Sequence, residues 1–268
     1  MLPLLITLIV FLVTWLILNL AQPLVRGTLS RVAHITAKFR YRDYLPVVIL
    51  VGLGAVVAVI VGDEFVDLAE LVVGQSPILV TVDQQFHDWA VISRTPGETT
   101  FFALMSVIGG PVVMGLVTAA AVIALCVRKR YRWAIYIAVT AGGGALLNME
   151  LKRFFERARP ALAEMLRRAH GYSFPSGHAM GSTVVMGAFA YLAVRTLKTW
   201  TQKSAAIAFA IAFVVAVASS RVYLGVHWLS DIGAGVSAGL VWVATTTVGY
   251  ETTRRIRLIR AIRLKRGH

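Results

Sequence analysis

The sequence predicts an all-α protein that crosses a membrane several times. Of its 268 residues, 57% are hydrophobic and only 15% are charged, with a mean hydropathy of +0.73, whereas soluble domains carry about 25% charged residues. Long uncharged runs recur along the chain, and each approaches the ~20 residues that a helix needs to cross the hydrocarbon core. The runs are continuously apolar and not alternating, which favours helices over the strands of a β-barrel.

Seven such runs predict seven membrane-spanning helices in chain order. They cover residues 1–25, 44–62, 99–127, 133–149, 178–194, 204–220 and 232–250. We interpret the first as a retained helix and not as a signal peptide, because Arg26 follows it instead of preceding it. Gly109-Gly110-Pro111 predicts a break in the third run, with neighbouring helices covering the freed backbone. The apolar stretch 71–82 is too short to span and is expected at the interface.

Lysine and arginine divide the connections between these helices into two sets. Nineteen of the 27 lie in connections that alternate along the chain and therefore share one side of the membrane, namely 26–43, 128–132, 195–203 and 251–268. The positive-inside rule predicts that this side, with the C-terminus, is cytoplasmic. The net charge of +14 is then explained by topology and by attraction to anionic headgroups, and nucleic-acid binding is not expected.

Three segments on the opposite, non-cytoplasmic side carry residues suited to chemistry. They are 152–160, 174–178 and 220–231. Apart from Arg94, every base on this side lies within or close beside them, while the acidic segment 63–98 holds seven carboxylates. Basic residues placed against the topology rule are what an anion-binding site requires.

The cations and the small residues of these segments are suited to binding a phosphoryl group. Lys152 and Arg159 are seven residues apart and share a face if both lie on one helix. With Arg221 they offer a point charge and two planar guanidinium forks. Ser176 and Gly177 precede an apolar run, so they would begin a helix whose N–H groups and positive dipole end attract phosphate.

Two histidines and an aspartate could supply the catalysis. His227 and Asp231 are i and i+4, so the carboxylate can hold one imidazole nitrogen and leave the other as nucleophile. His178 can then act as general acid. No metal or other cofactor is expected. Each residue taken singly has a simpler interpretation, such as a solvated cation, a helix cap or a structural His–Asp pair.

Together the segments resemble the three motifs of the type 2 phosphatidic acid phosphatase superfamily, which includes membrane lipid phosphatases and the vanadium haloperoxidases. Its pattern is Lys-x6-Arg-Pro, Pro-Ser-Gly-His and Ser-Arg-x5-His-x3-Asp. The sequence matches every fixed position, at Lys152, Arg159, Pro160, Pro175, Ser176, Gly177, His178, Ser220, Arg221, His227 and Asp231.

The resemblance implies a role for each of these side chains. His227 would form a phosphohistidine, Asp231 would orient it, and His178 would protonate the leaving group. The phosphoryl oxygens would be bound by Lys152, Arg159, Ser176, Gly177 and Arg221.

The same resemblance implies a domain organisation and a function. A six-helix core over 44–250 would follow an extra transmembrane helix and basic segment over 1–43 and precede a basic tail over 251–268. The implied activity is metal-independent dephosphorylation of a lipid in the plasma (inner) membrane, at its outer face. Undecaprenyl diphosphate, phosphatidylglycerophosphate and phosphatidic acid are the candidate substrates. The first is favoured, because recycling a polyprenyl diphosphate requires external dephosphorylation.

Two alternatives stay open at this point. A lipid-linked phosphotransferase would use the same site with a hydroxyl in place of water. A non-catalytic lipid-binding or transport protein would need no proton-transfer residues. The expected partners are the lipid phosphate and the bilayer, and no obligate protein partner is inferred.

Overall fold

The computed structural model describes residues 2–36, 45–161, 165–166 and 169–266. Over these ranges the regular structure is helical and contains no strands. The helices are α1 (Leu2–Thr36), α2 (Leu45–Val73), α3 (Pro77–Ile92), α4 (Pro96–Ile108), α5 (Pro111–Val127), α6 (Tyr131–Phe155), α7 (Gly177–Thr196), α8 (Trp200–Tyr223) and α9 (Leu229–Arg266). The predicted all-α fold class is confirmed.

The long apolar helices make this a multi-span membrane protein. In the described part of the chain, five candidate spans lie in α1, α6, α7, α8 and α9 by length and composition. The pair α4 and α5 is a sixth candidate, bent by 46° at Gly109-Gly110, which confirms the predicted break. The remaining predicted run, 44–62, falls mostly within α2, where some side chains lie outside the described residues.

Helix α7 lies among α6, α8 and α9, while α1 packs on α8 and α2 packs on α9. Glycines bring α9 close to α7. A Cβ on Gly235 would lie 2.7 Å from the carbonyl oxygen of Ser176, and one on Gly239 would lie 2.8 Å from Cβ of Thr183. A larger residue at either position would force the two helices apart. These glycines therefore allow the N-terminal parts of α7 and α9 to pack closely.

The bundle has two ends of different character. At the motif end, where α6 and α8 finish and α7 and α9 begin, the three motifs meet. At the aromatic end, Trp133, Tyr136, Tyr191 and Tyr250 stack with neighbouring ring centroids 5.0–6.3 Å apart. These rings join α6, α7 and α9.

The structure corrects one local prediction and refines another. Helix α6 ends at Phe155, because Glu156 takes a left-handed conformation with φ of 47°. Arg159 therefore lies beyond the helix, and the predicted two-turn spacing from Lys152 does not apply. The apolar stretch 71–82 divides between the end of α2 and the beginning of α3, and α3 packs against α8 and α9.

Candidate active site

His227 and Asp231 form a buried pair at the motif end. His227 lies in the connection between α8 and α9, one residue before the cap of α9, and Asp231 lies in the first turn of that helix. Nδ1 of His227 is 3.1 Å from Oδ2 of Asp231, and the two residues are 2% and 0% exposed. The i, i+4 spacing thus produces the predicted contact, although His227 is not itself helical.

The hydrogen bonds of His227 determine its tautomer. Nη1 of Arg159 lies 3.0 Å from Nε2 of His227. A guanidinium group can only donate, so Nε2 accepts and carries no proton. The ring proton is then on Nδ1, from which it is donated to Asp231. The nitrogen with the available lone pair is Nε2, and it faces a cation.

Asp231 is held by four donors. Oδ1 accepts from Nη1 of Arg157 at 2.7 Å. Oδ2 accepts from the backbone N–H of Trp228 at 3.0 Å, from the hydroxyl of Ser173 and from His227. Such donors stabilise the carboxylate and fix its orientation, so the imidazole is held by a rigid charged partner.

Lys152 and Arg159 bind backbone carbonyls and no described carboxylate. Nζ of Lys152 lies 2.7 Å from the carbonyl oxygen of Tyr172 and 3.1 Å from that of Ser173. Arg159 donates to the carbonyls of Gly171, Tyr172 and Val226 at 2.9, 3.2 and 2.7 Å, and to that of His170. Shared use of the Tyr172 carbonyl brings the two cations together without a common helix.

Arg221 and His178 are the remaining predicted residues of the site. Arg221 is buried in the last turn of α8 and donates from Nη1 to the hydroxyl of Ser106. His178 is in the first turn of α7 and lies within electrostatic range of Arg221, His227 and Arg159. Three motif cations and two imidazoles therefore face one region.

Ser176 and Gly177 begin α7 as predicted. The hydroxyl of Ser176 accepts from the N–H of Ala179 at 3.5 Å, and the N–H of Ser176 donates to the carbonyl of Asp231 at 3.0 Å. A Cβ on Gly177 would lie 2.9 Å from Oδ1 of Asn148 and 3.6 Å from Cε of Lys152. A larger residue at position 177 would therefore displace the side chain of Asn148 and fill the space beside Lys152. All eight predicted site residues lie at the motif end.

Burial changes the ionisation of the site. It lowers the pKa of His227 to about 4, although the hydrogen bond from His227 to Asp231 acts in the opposite direction. Burial also lowers the pKa of the Arg159 guanidinium, partly offset by the charge of Asp231. At neutral pH the imidazole of His227 is therefore uncharged, as a nucleophile must be.

Sequence reasoning missed four residues of this network. Asp83 of α3 is 2% exposed and binds Nη2 of Arg157 at 2.7 Å, and it also accepts from the N–H of Ser230 at 2.9 Å. Arg157 and Ser173 contact Asp231 directly, and Ser106 contacts Arg221. Arg157 and Ser173 lie within or next to a motif, but nothing in the spacing separates Asp83 from the other acids of 63–98.

Residues 132–255 match the family model of the PAP2 superfamily, and all three motifs lie in this range. This part of the chain belongs to the PAP2 superfamily. It is similar to phosphatidylglycerophosphatase B of Bacillus subtilis (strain 168), with 41% identity over 102 residues. These make up 37% of this chain and 49% of the relative, so the match spans about half the length of that relative.

Two solved structures have a similar fold. One is the first transmembrane PAP2 type phosphatidylglycerolphosphate phosphatase from Bacillus subtilis, at a TM-score of 0.64 and 28% identity, covering 71% of this chain and 94% of that chain. LpxE of Aquifex aeolicus has a TM-score of 0.50 and 20% identity over 61% of this chain and 93% of its own, which shows the fold alone. The family predicted from the three motifs is confirmed.

Proposed function

We propose that this PAP2 protein hydrolyses a phosphate from a membrane lipid through a phosphohistidine formed on His227. The observation that carries the proposal is the state of His227: uncharged and buried, with Nδ1–H directed to Asp231 and the Nε2 lone pair directed to Arg159. A structural His–Asp pair needs no cations around its second nitrogen, whereas a nucleophile for phosphorus does.

In the first step, the lone pair of Nε2 attacks phosphorus as the bond to the leaving oxygen breaks. His178 gives a proton to that oxygen, and Asp231 stabilises the imidazolium that develops on His227. Lys152, Arg159 and Arg221 neutralise charge on the phosphoryl oxygens. The phosphoryl group displaces Arg159 from Nε2, and the guanidinium moves onto the phosphoryl oxygens.

In the second step, water replaces the departed lipid alcohol. His178, now without its proton, accepts one from the attacking water. The new P–O bond forms as the P–N bond breaks, which returns His227 to its uncharged state and releases inorganic phosphate. N–H groups at the start of α7, after Ser176 and Gly177, bind phosphoryl oxygens in both steps.

A lipid phosphate is the substrate class that suits the position of the site. The motif end lies where spanning helices finish, so a headgroup can reach His227 while its tail stays in the bilayer. Phosphatidylglycerophosphate is the first substrate to test, because the similar sequence and a similar solved structure, both from Bacillus subtilis, are described as phosphatases of that lipid. This places it ahead of undecaprenyl diphosphate, which was ranked first from the sequence. Phosphatidic acid is the third candidate substrate.

The membrane orientation is part of the proposal. The basic residues of 128–132, 195–203 and 251–266 would lie on the cytoplasmic side with the C-terminus, and the motif end would face the outside of the plasma (inner) membrane. Residues 44–250 would form the phosphatase core, with 1–43 and 251–268 as additions to it. Reporter fusions after Arg266 and near Asp88 would read cytoplasmic and external, respectively.

Phosphate release from a panel of lipid phosphates tests the proposed function. The purified protein should release inorganic phosphate from phosphatidylglycerophosphate, and His227→Ala should not. A parallel assay with a labelled lipid acceptor separates hydrolysis from phosphotransfer. Equal turnover by the wild type and His227→Ala would remove the proposed nucleophile.

A further inference from the structure

A buried serine outside the three motifs contacts two of the proposed site residues. Ser106 is 3% exposed and lies in the last turn of α4. Its hydroxyl accepts a hydrogen bond from Nη1 of Arg221. Its carbonyl oxygen lies beside Gly110, as Nε2 of His178 does. One residue therefore binds a proposed phosphate ligand and lies near the proposed general acid.

The break between α4 and α5 explains why the backbone of Ser106 is available. In a continuous helix, the N–H of Gly110 would bind the carbonyl of Ser106, four residues earlier. It binds the carbonyl of Val107 instead, at 3.1 Å, and Pro111 has no N–H to contribute. The carbonyl of Ser106 thus loses its helical partner. Within a membrane such a group needs another donor, and the imidazole of His178, which lies beside the same glycine, can supply one.

Gly110 leaves the space that this contact requires. A Cβ at position 110 would lie 3.1 Å from the carbonyl oxygen of Ser106 and 3.5 Å from Nε2 of His178. A methyl group there would crowd the carbonyl oxygens of Val107, at 3.0 Å, and of Ser106, and it would be in van der Waals contact with the imidazole. Gly110 therefore leaves room for the Ser106 carbonyl to approach His178, in addition to allowing the bend between α4 and α5.

We propose that Ser106, presented by the α4–α5 break, is a positioning residue for the phosphatase reaction. The inference rests on the proposed function. The Ser106 hydroxyl aims Arg221 at the phosphoryl oxygens. A carbonyl only accepts, so the nitrogen of His178 that faces it carries a proton, and the other nitrogen exchanges a proton with the leaving oxygen. The broken helix thus contributes to the site from outside the three motifs, as α3 does through Asp83.

Ser106→Ala tests the contact to Arg221, since it removes the hydroxyl and leaves the carbonyl. The inhibition constants of vanadate and inorganic phosphate should rise about 10-fold or more, and Ser106→Thr should restore most of the affinity. Ser182→Ala is the matched control, because Ser182 is equally buried and its hydroxyl binds the carbonyl of Ala179 in its own helix. Vanadate and inorganic phosphate should inhibit Ser182→Ala as strongly as they inhibit the wild type.

Gly110→Ala tests the contact to His178. A misplaced general acid slows release of a poor leaving group more than that of a good one. We expect kcat for phosphatidylglycerophosphate to fall roughly 10-fold more than kcat for p-nitrophenyl phosphate, on the scale of general acid catalysis. Gly115→Ala is the control, since a Cβ at Gly115 has no described atom within 4 Å.

The outcomes separate this inference from the proposed function. If the wild type releases no phosphate, the proposed function itself is wrong. An active wild type, with unchanged vanadate inhibition in Ser106→Ala and equal losses on both substrates in Gly110→Ala, overturns the role of Ser106 alone. Each variant is checked for a single peak on gel filtration in detergent. Ser106→Cys, which keeps an atom at the γ position but hydrogen-bonds only weakly, carries the first test if the alanine variant does not fold.

Discussion

The two ends of the bundle use basic residues in opposite ways. At the motif end, Lys152 and Arg159 bind carbonyl oxygens, and Arg221 binds a hydroxyl. At the aromatic end, Arg195 and Arg254 both bind one carboxylate, that of Glu251, with N–O distances of 3.4 Å for Arg195 and 3.3 Å for Nη2 of Arg254. Glu251 is 5% exposed and sits beside the stacked aromatic rings.

The difference lies in what remains for a ligand. A neutral carbonyl orients a cation without cancelling its charge, so Lys152 and Arg159 keep a full charge for an anion. A carboxylate offsets part of that charge and occupies the guanidinium, so Arg195, which shares Glu251 with Arg254, serves to join α7 to α9. Arg157 shows that the distinction depends on the partner and not on the location. It lies at the motif end but pairs with Asp83 and Asp231, and it orients the site without being available to phosphate.

Substitutions of the two buried carboxylates, Asp231 and Glu251, are expected to show the largest difference in kcat between the two ends. Asp231→Asn should lower kcat by about 10³–10⁴-fold, because an amide no longer fixes the tautomer and charge of His227. Glu251→Gln, the matched change at the aromatic end, should leave kcat within about 2-fold and lower the unfolding free energy by about 1–3 kcal/mol. A steady-state assay and a thermal unfolding series measure both quantities. Similar losses of kcat in both variants would contradict the division of roles.

The next largest effect is expected from the cations. Arg159→Gln should reduce kcat/KM by about 10²–10³-fold, the usual result of removing one donor to a developing charge. Arg195→Gln should leave kcat/KM nearly unchanged. The assay is phosphate release at several lipid concentrations. A normal kcat/KM in Arg159→Gln would show that its charge is not used by the substrate.

A smaller effect is expected from Asp83, which acts through Arg157. Asp83→Asn should lower kcat roughly 10-fold with little change in KM, because Arg157 loses one of the two carboxylates that orient it. Arg157→Gln should cost more, since it contacts Asp231 directly. The double variant should lose no more than Arg157→Gln alone, since contacting residues are not additive. Additive losses of kcat in this double-mutant cycle would disprove the claim that Asp83 acts through Arg157.

The smallest change is expected from pH. Burial lowers the pKa of His227 to about 4, so the uncharged nucleophile persists as pH falls and is lost only as pH approaches 4. The acid limb of kcat/KM for p-nitrophenyl phosphate, corrected for ionisation of the substrate, should show little contribution from His227 between pH 7 and 5. An enzyme group that titrates near the ordinary histidine value of 6.5 on the acid limb, and that is still present in the profile of His178→Gln, would contradict this.

Much of the fold was predictable because the bilayer sets strict requirements. Uncharged runs of sufficient length became helices, and Gly109-Gly110-Pro111 became the bend between α4 and α5. Local spacing was less reliable. Lys152 and Arg159 meet through the carbonyl of Tyr172 and not along a helix, because Glu156 ends α6 early.

The motif residues of the site were predictable from their types and spacing, and the residues that hold them were not. Asp83 and Ser106 are ordinary members of an acidic segment and of an apolar run. Their contacts with Arg157 and Arg221 join residues 74 and 115 positions apart in sequence, and such pairings depend on tertiary packing. The sequence does predict the break between α4 and α5, and a break leaves a backbone carbonyl without its helical donor. It does not predict which side chain takes the place of that donor.

The central claim is that His227 carries the phosphoryl group during turnover, and rapid quenching tests it most directly. Wild-type protein mixed with lipid phosphate labelled on its terminal phosphorus should give a covalent label that is lost in acid and stable in alkali, as phosphoramidates are. The labelled peptide should contain His227, and Asp231→Asn should slow its formation. Full phosphate release with no label on this peptide, or an undiminished label in His227→Ala, would contradict the account.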